Sequence, residues 1–398
     1  MKANFLAGAL CIVASGFVFS GENKNLAEEL TKKHLIIDGH VDVPYRLTHS
    51  EEDVGVSTKG GDFDFPRAKI GGLNAPFMSI YVPAEKEAQG NAKSYADSLI
   101  DKVEAMVKKH PDKFAIPRSI QELQAQVKTG LISLPLGIEN GAPIEGDLAN
   151  LRHFSKRGVR YITLTHSKSN HISDSSYDEN RPWEGLSAFG KRLVREMNRE
   201  GVMIDISHVS DDAFWQVVDL SAVPIIASHS SARHFTPGFE RNMSDEMIKA
   251  LADNGGIIMV NFGSTFISEI SRDSYAEISA SVEKFIKDKG FSKDSTEVKE
   301  FTDKLSSEKF IFADLKDVLD HFDHVRNLVG VDHIGIGSDF DGVGDSLPTG
   351  LKDVSQYPNL VQGLLERGYS KDDIEKILGA NLVRVWQANE EYAKSRKG

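Results

Sequence analysis

Short apolar runs recur along the chain and alternate with segments whose hydrophobic residues have helical spacing. Continuous rather than alternating hydrophobicity predicts strands that are buried on both faces, as in a parallel sheet. Eight such runs are rich in Val, Ile and Leu: HLIIDG (34–39), APFMSIYV (75–82), LISLPLGI (131–138), VRYITLTH (159–166), VMIDISH (202–208), VPIIASH (223–229), GGIIMVNF (255–262) and DHIGIGSD (332–339). Helices are predicted over residues 93–109, 186–200, 244–253, 313–328 and 371–393.

Eight strand and helix units in series favour an α/β fold of the (β/α)8 or TIM barrel type. A doubly wound open sheet usually has fewer strands and a glycine-rich nucleotide loop after the first strand. Here GHVDVP follows the first predicted strand instead. The stretch 264–310 is rich in Ser, Lys, Asp and Glu and is too long for an ordinary loop. We predict a helical insertion there, after strand seven, that serves as a lid or a contact surface.

The first twenty residues have the pattern of an export signal. One Lys precedes an apolar run from Phe5 to Phe19 that ends in small residues, which is typical of a signal peptide, here cleaved after Ser20. A retained membrane anchor is the alternative, but about 15 apolar residues fall short of the ~20 that span a bilayer. We therefore expect a signal peptide over 1–20, a single barrel domain over 21–398 and a periplasmic location. Cys11, the only cysteine, lies in the signal, so we expect no disulfide in the mature chain.

The charge of the chain restricts its partners. The formal net charge is -12, whereas nucleic-acid-binding domains are usually basic and carry a clustered Lys/Arg face. A nucleic-acid partner is therefore not expected, and the short apolar run at the N-terminus predicts no stable membrane insertion.

Most of the apolar runs stop at a residue that can bind a metal ion or transfer a proton. In a barrel the carboxyl ends of all strands meet on one rim, where active sites of this fold lie. A single His in such a place is more often structural than functional, but several on one rim favour a shared site. The residues are His40, Asp42, Glu139, His166, His208, His229 and Asp339.

The residue types at these strand ends suit divalent metal ions. Imidazole nitrogen and carboxylate oxygen bind Zn²⁺, and catalytic zinc sites keep one position open for water. Histidines and carboxylates, with one carboxylate shared, can hold two ions ~3.5–4 Å apart and so generate a hydroxide near neutral pH. That chemistry predicts a hydrolase. Spacing alone leaves a single metal ion or a redox iron site open as alternatives.

Several motifs occur in a fixed order over nearly all of the chain beyond residue 20. They are DGHVD (38–42), GIENG (137–141), GVRYITLTH (158–166), MIDISHVS (203–210), SHSSAR (228–233), RNMSDE (241–246), GGIIMVNF (255–262), GIGSDFDGV (335–343), GLKDVSQYPNL (350–360) and ILGANLVRVW (377–386). In these motifs the chain resembles the membrane (renal) dipeptidase family, the M19 metallopeptidases among the amidohydrolase-type metal-dependent barrels. The resemblance implies a homodimer as well as the barrel.

The resemblance also implies roles for individual residues. It assigns His40, Asp42 and Glu139 to one Zn²⁺, and it assigns Glu139, His208 and His229 to a second, so that Glu139 bridges two ions. By the same resemblance, His166 contacts the substrate carbonyl and stabilises the oxyanion. Arg241 binds the terminal carboxylate of the substrate, and Asp339 acts as the acid/base residue. Because ligating groups need orienting partners, we also expect supporting hydrogen bonds from Asp38 and Asp341.

These expectations combine into an exported binuclear zinc dipeptidase. It would cleave L-Xaa-L-Xaa dipeptides, and L-Xaa-D-Xaa dipeptides as well, through attack by a metal-bridging hydroxide. One alternative keeps the barrel and metals but assigns another amide or ester, such as an N-acyl amino acid or a lactone. Another is a non-catalytic binding protein with the same fold. The stretch GSTFIS after MVNF departs from the family, and it lies where the pocket wall and the lid are expected.

Overall fold

A computed structural model describes residues 12–397 of the chain, with side chains over 22–396. Eight parallel strands close into a barrel in the order β1-β10-β9-β8-β7-β6-β5-β2, which confirms the predicted TIM barrel. The two further strands, β3 and β4, form a small separate sheet. The strands are β1 (Ile36–Val41), β2 (Leu73–Tyr81), β3 (Phe114–Ala115), β4 (Ile132–Ser133), β5 (Leu136–Glu139), β6 (Val159–Thr163), β7 (Met203–Asp205), β8 (Ile226–Ser230), β9 (Ile257–Val260) and β10 (Ile334–Ile336).

Helices surround the barrel and connect its strands. They are α1 (Ile12–Lys33), α2 (Val43–His49), α3 (Phe65–Gly71), α4 (Glu85–Ala88), α5 (Ala92–Lys109), α6 (Ile120–Lys128), α7 (Leu148–Arg157), α8 (Ala188–Glu200), α9 (Asp211–Leu220), α10 (Asp245–Asp253), α11 (Ser264–Ile267), α12 (Glu269–Lys289), α13 (Thr296–Lys309), α14 (Leu315–Val329), α15 (Tyr357–Glu366), α16 (Lys371–Glu375) and α17 (Asn381–Lys397). The five predicted helices are present. The last of them is divided by a π-helical segment, Lys376–Ala380.

All eight predicted strands contribute to the barrel, but several are shorter than the apolar runs. The third run divides: Ile132–Ser133 pairs with β3 outside the barrel, and the barrel strand begins only at Leu136. Pro135 lies between them, and a proline has no backbone N–H for a strand ladder. Strands β6, β7 and β10 stop three residues before His166, His208 and Asp339. These three residues therefore lie in loops, not at strand ends.

The barrel interior at the amino ends of the strands is filled by apolar side chains. Part of this cluster comes from the first or second residues of the strands, including Ile37, Met203 and Ile226. Trp386 of α17 is fully buried there, with its ring centroid 5.5 Å from that of Phe77. Because this end is closed by packing, a ligand can enter only at the opposite rim.

The predicted helical insertion is present between β9 and α14. It consists of α11, α12 and α13, and the stacked rings of Phe285 and Phe301, 4.2 Å apart, join its two longer helices. Two hydrogen bonds join the insertion to the segment that precedes α14. The backbone N–H of Ala313 donates to Oγ of Ser264 at 3.1 Å, and that of Ile311 donates to Oγ of Ser274 at 3.1 Å.

The predicted signal peptide lies partly outside the described residues. Residues 1–11, with Cys11, are not described, and the predicted cleavage point after Ser20 falls within α1. Ala27 and Leu30 of the same helix are buried against the rest of the protein. Within residues 12–397, no helix is both long and apolar enough to cross a membrane.

Candidate active site

The carboxyl-end rim of the barrel gathers the residues predicted from the strand ends. His40 lies in β1, His229 in β8, and Glu139 is the last residue of β5. Two of the loop residues have left-handed backbone conformations, with φ of 71° at His208 and 63° at Asp339. L-residues rarely adopt this region, and such strain concentrates at functional sites. The seven predicted residues come together from positions spread over 300 residues of sequence.

Glu139 is the centre of the cluster. Its Oε1 lies 3.1 Å from Nε2 of His208, 3.3 Å from Nε2 of His229 and 3.4 Å from Nε2 of His166. Its Oε2 lies 3.3 Å from Nε2 of His40. Burial alone would raise the pKa of Glu139, but the neighbouring histidines, first among them His40, hold it well below its usual range. One oxygen of the carboxylate thus faces three histidines and the other faces His40, an arrangement compatible with a ligand shared between two metal ions.

The tautomer of His40 is determined by Tyr161. The phenol hydroxyl of Tyr161 donates to the carbonyl oxygen of Gly39 at 3.0 Å and lies 2.8 Å from Nδ1 of His40. Because a hydroxyl has a single proton, its oxygen must accept from Nδ1–H of His40. In the neutral imidazole the lone pair is then on Nε2, and this buried atom lies 3.2 Å from Oδ2 of Asp42 and 3.3 Å from Oε2 of Glu139.

His229 is oriented by an equivalent chain of hydrogen bonds. Oγ of Ser228 donates to Oδ2 of Asp205 at 2.6 Å and lies 2.7 Å from Nδ1 of His229. Since the carboxylate can only accept, Nδ1–H of His229 must donate to Ser228. The lone pair of His229 is therefore also on Nε2, directed into the site. Such outer hydrogen bonds are the usual way in which metal-binding histidines are oriented.

This donor set fits divalent cations. The Nε2 atoms of four histidines face one carboxylate, and Nε2 of His208 and Nε2 of His229 are only 2.8 Å apart. Nitrogen and oxygen donors gathered so closely are the ligand types that Zn²⁺ prefers. Triplets with ligand atoms within 4.8 Å of one another are His40, Glu139 and His229; Glu139, His166 and His208; and His40, Asp42 and Asp339. The five predicted ligands are all included, but His229 is grouped with His40, and His166 joins the possible ligands.

The electrostatics of His40 support the same interpretation. Burial alone would lower the pKa of His40, but the electrostatic influence of Tyr161, Asp42 and Glu139 raises it well above its usual range. By contrast, burial lowers the pKa of His208 and of His229 well below the usual range. The carboxylates thus create a field that favours positive charge at Nε2 of His40, where a cation would lie.

Asp339 lies beside the carboxylate Asp42 and is buried. Its Oδ2 accepts a hydrogen bond of 2.8 Å from Nδ2 of Asn261. Burial raises the pKa of Asp339 to about 8, His40 opposes that increase, and Asp42 and Glu139 reinforce it. A carboxyl group with such a pKa can both hold and release a proton near neutral pH.

Arg241 lies behind the metal ligands, outside the cavity wall. Its Nη1 donates to Oγ of Ser230 at 2.7 Å, and its Nη2 lies 2.8 Å from the carbonyl oxygen of His229 and 3.1 Å from Nε2 of His208. The residue is 2% exposed. In this position the positive charge of Arg241 adds to burial in lowering the pKa of His208. The contact of Arg241 with a substrate carboxylate stays a prediction.

The two supporting aspartates behave differently. Oδ1 of Asp38 accepts from the backbone N–H groups of His40 and Ser338, both at 3.0 Å, so Asp38 orients the ligand-bearing strand as expected. Asp341 does not orient a ligand: its Oδ1 accepts from the backbone N–H of Asp62 at 2.6 Å, and its Oδ2 is 3.1 Å from Nε of Arg46. It belongs to the wall of the cavity.

A cavity of about 880 Å³ opens above the cluster. Its floor includes Asp42, Glu139, His166, His208 and Asp339. The upper walls are largely aromatic: Tyr45, Tyr81, Tyr177, Phe239, Phe266 and Tyr275. The insertion contributes part of this wall through α12, and its role as a lid or a contact surface stays a prediction.

Sequence reasoning missed the orienting residues Tyr161, Ser228, Asp205 and Asn261. Each is a polar residue inside or beside an apolar run, in RYIT, ASHS, MIDIS and MVNF. A polar side chain in a strand that is otherwise buried on both faces needs a partner. That pattern could have found them, although it could not have identified the partners.

Replacement of Tyr161 by phenylalanine tests the orienting role. In Tyr161→Phe the acceptor for Nδ1–H of His40 is lost while the ring packing remains, so we expect metal affinity to fall about 10–100-fold. Competition with a chromophoric chelator measures the affinity. Tyr392→Phe, on α17 and away from the site, is the matched control. Unchanged affinity in Tyr161→Phe would contradict the assigned tautomer.

The fold and the rim cluster together define a class of protein. A cluster of histidines and carboxylates that can bind metal ions, at the floor of a cavity on the carboxyl end of a (β/α)8 barrel, is the arrangement of a metal-dependent barrel hydrolase.

Comparison with known proteins identifies the family within that class. A family model described as "Membrane dipeptidase (Peptidase family M19)" matches residues 24–398. The Aspergillus oryzae dipeptidase aclJ is 33% identical over 399 residues, covering 96% of this chain and 84% of that protein. The Claviceps purpurea dipeptidase tcpJ is 34% identical over 346 residues, covering 85% and 72%. The chain belongs to the membrane dipeptidase family, peptidase family M19, and is a metallo-dipeptidase.

Solved structures agree in fold. The probable dipeptidase PvdM of Pseudomonas aeruginosa superimposes with a TM-score of 0.81 at 27% identity, covering 94% of this chain and 100% of that chain. A metallopeptidase of Rhodobacter sphaeroides, liganded with a phosphinate mimic of the dipeptide L-Ala-D-Ala, gives a TM-score of 0.72 at 25% identity, covering 89% and 99%.

Proposed function

We propose that this chain is a binuclear zinc dipeptidase that hydrolyses the single peptide bond of dipeptides with a free carboxyl terminus. The observation that carries the proposal is the position of Glu139, whose two oxygens face different histidines at the floor of the cavity. His40, Asp42, Glu139, His208 and His229 would hold the metal ions, and Zn²⁺ suits their nitrogen and oxygen donors.

The residues around the floor have complementary tasks. When bound, divalent ions supply Lewis acidity toward the peptide carbonyl and lower the pKa of water. His166, which lines the cavity beside Glu139, is placed to donate a hydrogen bond to the carbonyl oxygen as negative charge develops on it. Asp339 takes the proton of the attacking water and passes it to the departing amine, while Asn261 holds its carboxyl group in place.

The substrates we propose include dipeptides with a D-residue at the carboxyl terminus. The support is the Rhodobacter sphaeroides relative, which is liganded with a phosphinate mimic of L-Ala-D-Ala. The cavity of about 880 Å³ accommodates a dipeptide of either chirality. For this chain we therefore expect turnover of both L-Ala-L-Ala and L-Ala-D-Ala.

Hydrolysis of a dipeptide panel with and without a chelator tests the proposal. We expect the purified protein to cleave L,L and L,D dipeptides, to lose activity after chelation, and to regain it with Zn²⁺. Amine release measures turnover, and elemental analysis should find two metal ions per chain. N-acetyl-Ala and a simple lactone are included as alternative substrates. Cleavage of these alone, or no cleavage of any dipeptide at full metal loading, would refute the proposal.

We also propose export to the periplasm, on the basis of the apolar N-terminal pattern. Mass spectrometry of the protein from a periplasmic extract should find a chain that begins at Gly21, and a chain retaining Met1 would contradict this. Cleavage there would leave the buried Ala27 and Leu30 in the mature chain. The homodimer stays a prediction, which light scattering of the purified protein tests.

A further inference from the structure

Arg272, on the insertion helix α12, brings positive charge into the wall of the active-site cavity. Among the described residues that line this cavity, it is the only arginine or lysine. The floor, by contrast, carries the carboxylates of Asp42, Glu139 and Asp339. The wall also includes the carboxylate of Asp341, which is paired with Arg46, so among the described lining residues the guanidinium of Arg272 is the one positively charged side chain that has no carboxylate partner.

The helix that carries Arg272 is well anchored. Ser268 caps α12 by accepting a hydrogen bond from the backbone N–H of Ser271, and Ser271, Ser274 and Ile278 form the buried face of the helix. The guanidinium of Arg272 lies over the ring of Phe239, 3.5 Å from its centroid. A guanidinium stacked on an aromatic ring keeps its N–H donors free at its edge.

No carboxylate within the described part of the chain lies within 4.0 Å of this guanidinium, which instead stacks on the ring of Phe239. Burial lowers the pKa of Arg272, although Tyr177 and the acidic neighbours on its own helix, Asp273 and Glu269, oppose this. A partly desolvated guanidinium without an anion is suited to bind a carboxylate through two parallel hydrogen bonds.

Arg241 does not serve this part of the cavity. Its guanidinium donates to Ser230 and to the carbonyl of His229, behind the metal ligands. The cavity of about 880 Å³ extends from the floor to α12, which leaves room for a substrate side chain beyond the peptide bond. Arg272 and the aromatic residues around it, Tyr177 and Tyr275, form the wall that such a side chain would meet.

We propose that Arg272 binds a second carboxylate of the substrate, namely an acidic side chain of the dipeptide, so that the enzyme prefers dipeptides containing Glu or Asp. This inference rests on the proposed dipeptidase function and deepens it, because it specifies the substrate class. The selectivity would come from the insertion, the region in which the sequence departs from the family.

Matched acidic and neutral dipeptides test the proposal. The substrates are Ala-Glu against Ala-Gln and Glu-Ala against Gln-Ala, and the enzymes are the parent, Arg272→Met, Arg272→Lys and the control Lys284→Met on the exposed side of α12. In the parent we expect kcat/KM to favour the Glu member of at least one pair. In Arg272→Met this Glu/Gln ratio should fall about 10-fold or more, mainly through KM. Arg272→Lys should retain part of the preference, and Lys284→Met should retain all of it.

Two results would overturn the assignment. One is an unchanged Glu/Gln ratio in Arg272→Met; the other is an equal loss for both members of each pair, which would mean that Arg272 acts on the common backbone or on the fold. Calorimetric binding of the four dipeptides in the slow Asp339→Asn background, with and without Arg272→Met, gives a readout independent of turnover. If no dipeptide is hydrolysed, the dipeptidase proposal fails. The binding experiment then still tests the role of Arg272: tighter binding of the Glu dipeptide that depends on Arg272 supports it, and equal binding of the Glu and Gln dipeptides refutes it.

Discussion

Replacement of Glu139 by glutamine should abolish dipeptide hydrolysis, with kcat/KM reduced by about 10³-fold or more. The amide is isosteric with the carboxylate but carries no charge, and one of its two ends becomes an N–H donor directed at histidine lone pairs. Both oxygens of Glu139 face histidine nitrogens, at 3.1 to 3.4 Å. The variant therefore loses the ligand common to both groups, and we expect fewer than two metal ions per chain.

Metal counting by elemental analysis, together with kcat and KM for Ala-Ala, checks this expectation. The matched control is Glu283→Gln, an exposed glutamate on α12, which should retain both metal and activity. Circular dichroism of Glu139→Gln should match that of the parent. Full metal content in Glu139→Gln would show that Glu139 is not the bridging ligand.

Asp339→Asn should lower kcat by about 10²–10⁴-fold while metal content and KM change little. Asparagine fits the same space and can still contact Asn261, but it cannot accept a proton from water or deliver one to the amine. Because Asp339 also lies within 4.8 Å of potential ligand atoms of His40 and Asp42, the metal content separates two roles. Retained metal with lost turnover supports the acid/base role.

Asp345→Asn is the control for this variant, because Asp345 is an exposed residue of the same loop. It should behave as the parent does. A parallel loss of metal and activity in Asp339→Asn would instead assign Asp339 to the ligand set and would leave the proton transfer without its proposed carrier.

Much of the fold was predictable because each barrel strand is buried on both faces. Continuous apolar runs such as GGIIMVNF and VRYITLTH are readable without any knowledge of neighbouring elements. Their boundaries were less certain, since hydrophobicity continues where pairing stops. The loops after β6, β7 and β10 start earlier than the runs end, and the left-handed backbone at His208 and Asp339 has no counterpart in hydrophobicity.

The location of the site was also predictable, for a topological reason. Because all carboxyl ends of barrel strands share one rim, residues as distant as His40 and Asp339 could be expected to meet. The grouping of ligands was not predictable, because it depends on side-chain directions. Arg272 was missed for a related reason: nothing in the insertion's sequence indicates which of its charged residues faces the cavity.

The sequence by itself determined the barrel, the insertion after the seventh strand and the identity of the rim residues, because each depends on local periodicity or on chain order. Only the tertiary structure decided which nitrogen of His40 and His229 faces the other possible ligands. That depends on Tyr161, which lies in another strand from His40, and on the hydrogen bond from Ser228 to Asp205, which lies in another strand from His229. The tertiary structure likewise placed Arg241 behind the ligands and Arg272 at the cavity. Contacts between distant segments exist only after the chain has folded.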